Sequence, residues 1–182
     1  MTWVLVRKLL RDVRVPPTSI IGAEGAGLAA AMLFVHENRI RQAASSLGAA
    51  QFCVNRSVAY ARERIAFGRP LAVNQAIQFP LAELHTDCAL VRELVRSTAT
   101  AMDELGGTAV SDRISMCNLR ANRLACEAAD RAIQVHGGIG YTRGMPFEHI
   151  CRHHRRYRIT EGSEEMQLRN VARRLFGFGE RS

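Results

Sequence analysis

The segment Ile159–Glu165, near the C-terminal end of the chain, combines a carboxylate, a glycine and a serine, followed by two more acidic residues. A carboxylate can accept a proton, so this segment could take part in acid–base chemistry. The segment is also typical of a helix start, where unpaired N–H groups and the helix dipole favour anions. In the simplest interpretation Ser163 is an N-cap, and Glu164 and Glu165 are ordinary acids of the first helical turn.

A second candidate segment, Gln134–Tyr141, closes a long stretch with helical apolar periodicity. Its pair Gly137-Gly138 predicts a helix stop, because glycine readily adopts the left-handed conformation of a C-cap. Between the two segments lies a dense basic run, Arg152–Arg158, which contains His153-His154. Neighbouring cations oppose a bound metal ion, so we expect no metal site there.

Composition narrows the possible protein classes. The 182 residues fit one domain, and 47% hydrophobic residues suffice for a core. No apolar run is long enough for a membrane span, and Met1–Leu10 lacks the pattern of a signal peptide. Five cysteines without paired spacing predict reduced, partly buried thiols in an intracellular protein.

The net charge of +8 and the pI near 10.1 indicate either an anionic partner or a solvated basic face. Nucleic acid is disfavoured, because only 6% of residues are aromatic and the basic run is the one feature that suggests it.

Three long amphipathic helices are predicted from apolar residues at three- and four-residue steps. The first runs from Leu28 to about Arg64, with Leu28, Met32 and Val35 beginning its inner face, and Phe67-Gly68-Arg69-Pro70 ends it. The second carries a stripe from Val73 to Met102, where Pro80 should kink the helix or delay its start. Gly106-Gly107 makes the next turn, and Ser111-Asp112 are candidate caps of the third helix. The pattern predicts an all-α, up-and-down bundle of long antiparallel helices.

Three motifs in this order resemble the C-terminal helical domain of the acyl-CoA dehydrogenases, which are flavoenzymes. They read ARERIAFGRPLAVNQAIQFPLAEL, AIQVHGGIGYTRGMPFE and RYRITEGSEE, and the resemblance runs from about Asp12 to Phe176. The resemblance implies FAD-dependent α,β-dehydrogenation of an acyl-CoA thioester, as in fatty acid β-oxidation. Coenzyme A and FAD are polyphosphates that would use the positive charge of the chain.

The resemblance also assigns roles in the reaction. Glu161 is expected to be the catalytic base that removes the α-proton of the thioester. Arg39 and Gly162 match positions close to the bound acyl-CoA. Some members carry the base just before the arginine that matches Arg39, but that position here is Asn38, which cannot act as a carboxylate base.

Eight positions match residues that contact FAD in the family. Arg64 would bind the pyrophosphate of a cofactor held by a neighbouring subunit, as suits bidentate phosphate recognition. The full set is Arg64, Phe67, Gln75, Gln134, Gly137, Gly138, Ser163 and Glu165. Glu165 often corresponds to Gln in the family, Thr160 to Tyr, and His153-His154 to Asp-Ala, which here adds positive character.

The resemblance covers only the last part of the family's architecture. We expect residues 1–27 to be a linker and a remnant of the middle β-domain, and residues 28–182 to be the helical bundle, with the N-terminal helical domain and most of the β-domain absent. The isolated chain should then bind FAD poorly. Expected partners are an electron-transferring flavoprotein or similar acceptor and other copies in a homodimer or homotetramer. Bacterial cytoplasm is the default location, or the mitochondrial matrix in a eukaryote.

Two other functions stay open. One is a non-catalytic helical scaffold for self-association. The other is the DNA-binding branch of the same superfamily, through the run Arg152–Arg158.

Overall fold

The computed structural model describes residues 9–178 as a bundle of three long helices with two short helices packed on one of them. The helices are α1 (Gly27–Glu63), α2 (Gln75–Leu105), α3 (Ser111–His136), α4 (Phe147–Arg155) and α5 (Glu164–Leu175). Single 3-10 turns lie at Pro17–Ser19, Leu71–Val73, Gly137–Tyr141 and Arg156–Arg158. The predicted all-α, up-and-down bundle is confirmed, and the ends of α1 and α3 fall within one or two residues of the predicted ones.

A two-stranded hairpin separates α1 from α2. Strand β1 (Ile65–Ala66) pairs antiparallel with β2 (Arg69–Pro70). The two loop residues between them, Phe67 and Gly68, both have positive φ, at 52° and 78°. Two such residues form the tight turn that matches the twist of a hairpin. The hairpin reverses the chain, so that α2 returns antiparallel to α1.

Helix α3 is the centre of the bundle, because all four other helices pack against it. It runs parallel to α1, since Ser46 contacts Asn122 near the middle and Tyr60 stacks on His136 at the far end. The α1–α3 interface is rich in buried small side chains, which let two helices approach closely. These are Ala43, Ala50, Ala121, Ala128, Ala129 and Ala132.

All five cysteines lie in the described part of the chain as free thiols, four of them buried and Cys151 half-buried. Burial raises the pKa of Cys53 to about 12. These thiols serve as small core residues, as the sequence predicted.

The predicted inner face of α1 is wrong over its first two turns. Leu28 and Met32 are 77% and 37% exposed, and burial begins only at His36. The reason is length: α1 has 37 residues and α3 has 26, so the first turns of α1 extend past the end of their neighbour.

Two local predictions also need correction. Pro80 does not delay α2, which begins at Gln75 and contains the proline in its second turn, so the predicted kink is the alternative that stays open. Ser111 is the first residue of α3, and the N-cap position belongs to Val110, whose side chain cannot cap.

The proposed boundary at residue 27 stays a prediction. Residues 9–25 are exposed and turn-rich, with one short 3-10 helix. Residues 1–8 lie outside the described part of the chain, so the structure does not test the signal-peptide prediction. No helix within residues 9–178 is both long enough and apolar enough to cross a membrane.

The close α1–α3 interface can be tested by overpacking. Ala43 is fully buried and its chain neighbour Ala44 is exposed. We expect Ala43→Leu to lower the free energy of unfolding by about 1–3 kcal/mol or more, because the core has no room for three added carbons. Ala44→Leu is the matched control and should change it by less than about 0.5 kcal/mol. Equal effects in urea denaturation would contradict this interface.

Candidate active site

The loop between the Arg156–Arg158 turn and α5 has an unusual backbone. Glu161 has a φ of 58° and Gly162 a φ of 96°, so two consecutive residues are left-handed. For a residue with a side chain, this conformation costs about 1–3 kcal/mol and persists only where the surroundings impose it. The loop therefore depends on contacts from other parts of the chain.

Arg39 and Gln167 hold this loop through its carbonyl groups. The Arg39 guanidinium donates from Nε and Nη2 to the Glu161 carbonyl, at 2.9 and 2.7 Å. Gln167 Nε2 donates to the Glu161 and Gly162 carbonyls, at 3.1 and 2.9 Å. Burial lowers the pKa of Arg39, while the Glu161 carboxylate acts in the opposite direction. α1 and α5 thus clamp the loop from two sides.

The Glu161 carboxylate faces a cavity of about 440 Å³ between α1 and the loop. Asn38 Nδ2 donates to its Oε1 at 2.5 Å, and Arg41 Nη2 donates to the Asn38 Oδ1 at 2.5 Å. Within residues 9–178 Glu161 belongs to no ion pair. The Asn38 amide orients the Glu161 carboxylate through Oε1, and neither carboxylate oxygen forms an ion pair with a described residue.

Glu164, three residues later, has a different role. Its carboxylate lies 2.9 Å from Arg123 Nη2 and also accepts from Arg158 Nε. Burial would raise the pKa of Glu164, but the hydrogen bonds from the two arginines prevail and lower it to about 2. Glu164 thus joins α5 to α3 and to the basic run as a structural carboxylate.

Ser163 occupies the N-cap position of α5, as predicted, although its side chain makes no cap bond to the helix backbone. Instead, a hydrogen bond from Ser163 lowers the pKa of the Glu165 carboxylate. Ser163 and Glu165 thus both lie at the start of α5.

A buried polar network anchors the segment that leads into this loop. Ser46 Oγ donates to Asn122 Oδ1 at 2.6 Å and contacts His154 Nδ1 at 3.0 Å, and Asn122 Nδ2 donates to the Tyr157 carbonyl at 3.0 Å. Since the single hydroxyl proton of Ser46 goes to Asn122, His154 must carry its proton on Nδ1. The network joins α1, α3, α4 and the turn before Glu161.

The expected positive character of His153-His154 is wrong for His154. Its side chain is buried, and burial together with His153 and Arg156 lowers its pKa to about 4. His154 is therefore neutral at pH 7 and packs as part of the core.

The residues matched to FAD contacts divide into two groups. Ser163 and Glu165 adjoin Glu161, whereas the other six lie where α1 and α3 both end and α2 begins. Those six are Arg64, Phe67, Gln75, Gln134, Gly137 and Gly138. At 1.5 Å per residue, α1 separates Arg39 from Arg64 by roughly 37 Å. The structure thus brings Arg39, Glu161, Gly162, Ser163 and Glu165 together and keeps the other group at the opposite end.

Several positioning residues were not predicted from the sequence. Gln167, Arg123 and Arg158 gave no local signal. Asn118 and Asn122 gave one, since they lie four residues apart on the apolar face of α3, where a buried amide must find a partner. Asn118 Nδ2 donates to Gln42 Oε1 at 3.3 Å.

Gly162 offers a direct test of the clamp. A Cβ at this position would lie 3.1 Å from Arg39 Nη2 and 3.2 Å from Gln167 Nε2, at an unfavourable φ. We expect Gly162→Ala to lower the free energy of unfolding by about 1–3 kcal/mol. The control Gly48→Ala lies in α1 with open space around it, and it should instead raise stability by about 0.5–1 kcal/mol. Comparable stability of both variants in urea would contradict the clamp.

The buried network predicts a pH dependence. The pKa of His154 is about 4 in the folded chain and returns to its ordinary 6.5 on unfolding. The contribution of neutral His154 to the free energy of unfolding is therefore fully present above pH 6.5 and is lost as the pH falls towards 4. Between pH 7 and pH 5, the wild type should lose about 2 kcal/mol more than His154→Gln. Urea denaturation at both pH values measures this difference. His85→Gln, on the exposed face of α2, should behave like the wild type, and a parallel loss in His154→Gln would refute the assignment.

Known proteins resemble this chain along almost its whole length. It is 36% identical to the probable acyl-CoA dehydrogenase FadE2 of Mycobacterium tuberculosis, over 89% of this chain and 40% of that protein. It is 35% identical to an acyl-CoA dehydrogenase of Bacillus subtilis, over 91% of this chain and 43% of that protein. The chain therefore spans less than half the length of these relatives.

Structure and family comparisons agree. The butyryl-CoA dehydrogenase of Megasphaera elsdenii superposes with a TM-score of 0.85 at 31% identity, over 92% of this chain and 43% of that one. The family model described as "Acyl-CoA dehydrogenase, C-terminal domain" matches residues 25–176, which include every candidate site residue described above. The chain belongs to the acyl-CoA dehydrogenase family, of which it carries the C-terminal helical domain.

Proposed function

We propose that this chain supplies one part of an FAD-dependent site for α,β-dehydrogenation of an acyl-CoA thioester, with Glu161 as the catalytic base. The observation that carries the proposal is the setting of Glu161: an uncommon backbone conformation, fixed by Arg39 and Gln167, directs a carboxylate outside any described ion pair towards a cavity. Backbone held in an unfavourable conformation by its surroundings is common at active sites.

The α-proton of a thioester is weakly acidic, so the base must be placed before the substrate arrives. Asn38 holds one carboxylate oxygen of Glu161, which leaves the other for the proton. The Arg39 guanidinium, next to the same loop, contributes positive charge near the enolate that forms. A bound flavin would accept the hydride from the β-carbon.

The residues matched to FAD contacts fit a site shared between two copies of the chain. The ribityl chain between pyrophosphate and flavin is far shorter than the roughly 37 Å from Arg39 to Arg64, so one cofactor cannot reach both groups within one chain. At the far end, Gly137 and Gly138 have open space where a Cβ would stand, and Arg64 is exposed. An anionic dinucleotide could approach this backbone closely. Each copy would thus hold the flavin end of one FAD with Ser163 and Glu165 and the pyrophosphate end of another with Arg64, in a homodimer or homotetramer.

This chain matches less than half of each relative's length. The remaining walls of the site would come from protein equivalent to the part of the relatives that this chain does not match. The cavity beside Glu161 is lined by residues of α1 and of the segment from Arg156 to Glu161. A flavin needs walls on both faces to be held tightly, so this chain alone should hold FAD weakly. The electron acceptor, an electron-transferring flavoprotein or a similar protein, would meet the completed assembly.

The test is a chimera in which residues 25–176 replace the matching segment of the Bacillus subtilis acyl-CoA dehydrogenase. Its flavin absorption should bleach on addition of an acyl-CoA. Glu161→Gln should keep the flavin band and slow bleaching by about 10²–10⁴-fold, because proton abstraction is lost. Glu83→Gln removes an exposed carboxylate on α2 and should bleach at the original rate. Full-rate bleaching by Glu161→Gln would refute the assigned base.

A further inference from the structure

Both walls of the cavity beside Glu161 are polar. The wall from α1 consists of residues spaced three and four positions apart, which places them on one side of the helix. They are Asn38, Arg41, Gln42 and Ser45. The opposite wall consists of Arg156, Tyr157, Thr160 and Glu161. By contrast, the groove of about 590 Å³ between α1 and α2 is lined largely by apolar side chains, so the polar lining is not a property of the whole bundle.

Gln42 is the buried member of this lining, with an exposure of 7%. Asn118 Nδ2 donates to Gln42 Oε1 at 3.3 Å and to the Arg39 carbonyl at 3.5 Å. Since a carbonyl oxygen can only accept, these bonds fix the Asn118 amide, and Gln42 must turn Oε1 towards it.

The other half of the Gln42 amide has no protein partner. No group within residues 9–178 accepts a hydrogen bond from Nε2, which is not enclosed in the core either. Because Gln42 lines the cavity, the two N–H groups of Nε2 are presented to it. A nearly buried donor of this kind requires an acceptor from whatever fills the cavity.

Charge does not select the ligand of this cavity. Arg41 is exposed, and the Glu161 carboxylate, to which Asn38 links it, balances its charge. Arg156 has partners of its own, among them the Tyr157 hydroxyl at 3.2 Å. What the lining leaves unsatisfied is therefore a neutral donor, the Gln42 amide.

A plain hydrocarbon chain is a poor ligand for such a wall. Methylene groups placed against Gln42 would displace water from Nε2 without replacing its hydrogen bonds, which costs free energy. A site that presents a buried donor discriminates against a ligand that lacks the acceptor, because the donor is then left unpaired. A hydroxyl oxygen on the acyl chain would accept this hydrogen bond and bring no charge.

We infer that the substrate of this site is a hydroxyacyl thioester, whose hydroxyl lies a few carbons beyond the α-carbon and accepts a hydrogen bond from Gln42. The inference rests on the proposed function, since that function places the α-carbon at Glu161. Asn38, which bonds Glu161, lies one helical turn before Gln42, or about 6 Å along α1. A short stretch of acyl chain spans this distance, which makes Gln42 the specificity-determining residue.

The experiment titrates the purified chain with two thioesters of N-acetylcysteamine, 6-hydroxyhexanoyl and heptanoyl, and follows amide shifts by two-dimensional NMR. The two acyl groups have equal length and differ only in a terminal hydroxyl or methyl group. The small thiol removes the phosphates of coenzyme A, which would bind any basic surface. Nonspecific binding favours the more apolar heptanoyl form. We expect the hydroxylated form to bind about fivefold more tightly, with the largest backbone shifts at residues 159–163 and around Gln42.

A variant and a control isolate the Gln42 amide. Gln42→Met keeps the length of the side chain and removes the donor. It should weaken binding of the hydroxylated thioester about fivefold and leave heptanoyl binding unchanged or tighter, which a collapsed cavity could not do. Gln51→Met removes an amide from the same helix outside the cavity and should keep the full preference.

One measurement on the wild type does not depend on the folding of any variant. The side-chain amide resonances of Gln42 should shift with the 6-hydroxyhexanoyl thioester by more than with the heptanoyl thioester, because only the first offers Nε2 an acceptor. Equal shifts of these resonances would contradict the assigned hydrogen bond.

The outcomes distinguish this inference from the proposal beneath it. If both thioesters shift residues 159–163 but the heptanoyl form binds as tightly, the hydroxyacyl substrate is wrong and the acyl site stands. If the preference survives Gln42→Met, the role of Gln42 is wrong. If neither thioester shifts this loop, the acyl site itself is wrong, and the inference falls with it.

Discussion

Arg39 makes the contact on which the candidate site depends, because its guanidinium holds the carbonyl of a residue 122 positions away in an otherwise unfavourable conformation. Two hydrogen bonds from a cation to one carbonyl are directional as well as strong. They fix the position of the loop and also the direction in which the Glu161 side chain leaves it. Any change in the position of α1 relative to α5 would alter that direction, so the helix packing is part of the site.

The position of α1 is fixed by its packing on α3. Buried polar pairs lie among the small side chains of this interface. Alanines alone would let the helices slide, because their contacts differ little from one turn to the next. Ser46 with Asn122, and Gln42 with Asn118, accept only one alignment, since a shift would leave buried amides without partners. The same Asn122 bonds the Tyr157 carbonyl, so one residue aligns the helices and anchors the segment that leads to Glu161.

Sequence reasoning found what depends on local pattern. Periodicity located α1, α2 and α3, and glycines marked their ends. The role of Glu161 came from the family resemblance and stays a prediction. Sequence reasoning could not find Asn38 as the partner of Glu161, because their contact joins segments 123 residues apart. The charge of His154 was misjudged for the same reason: a histidine in a basic run looks solvated, and only the folded packing shows it inside the core. The exposed start of α1 was missed because periodicity does not tell where a neighbouring helix stops.

The position of the site in the bundle explains why strain and a polar cavity can coexist there. A left-handed loop is tolerable because α1 and α5 hold its carbonyl groups, while α3 anchors the residues on either side of it, Tyr157 and Glu164. A polar cavity is tolerable at the same place because it lies at the edge of the core, where Arg41 is exposed to water. In the proposed reaction, a Glu161 carboxylate that Asn38 already orients would need little rearrangement on binding. Such preorganisation is how a folded scaffold lowers the barrier to removing a weakly acidic proton.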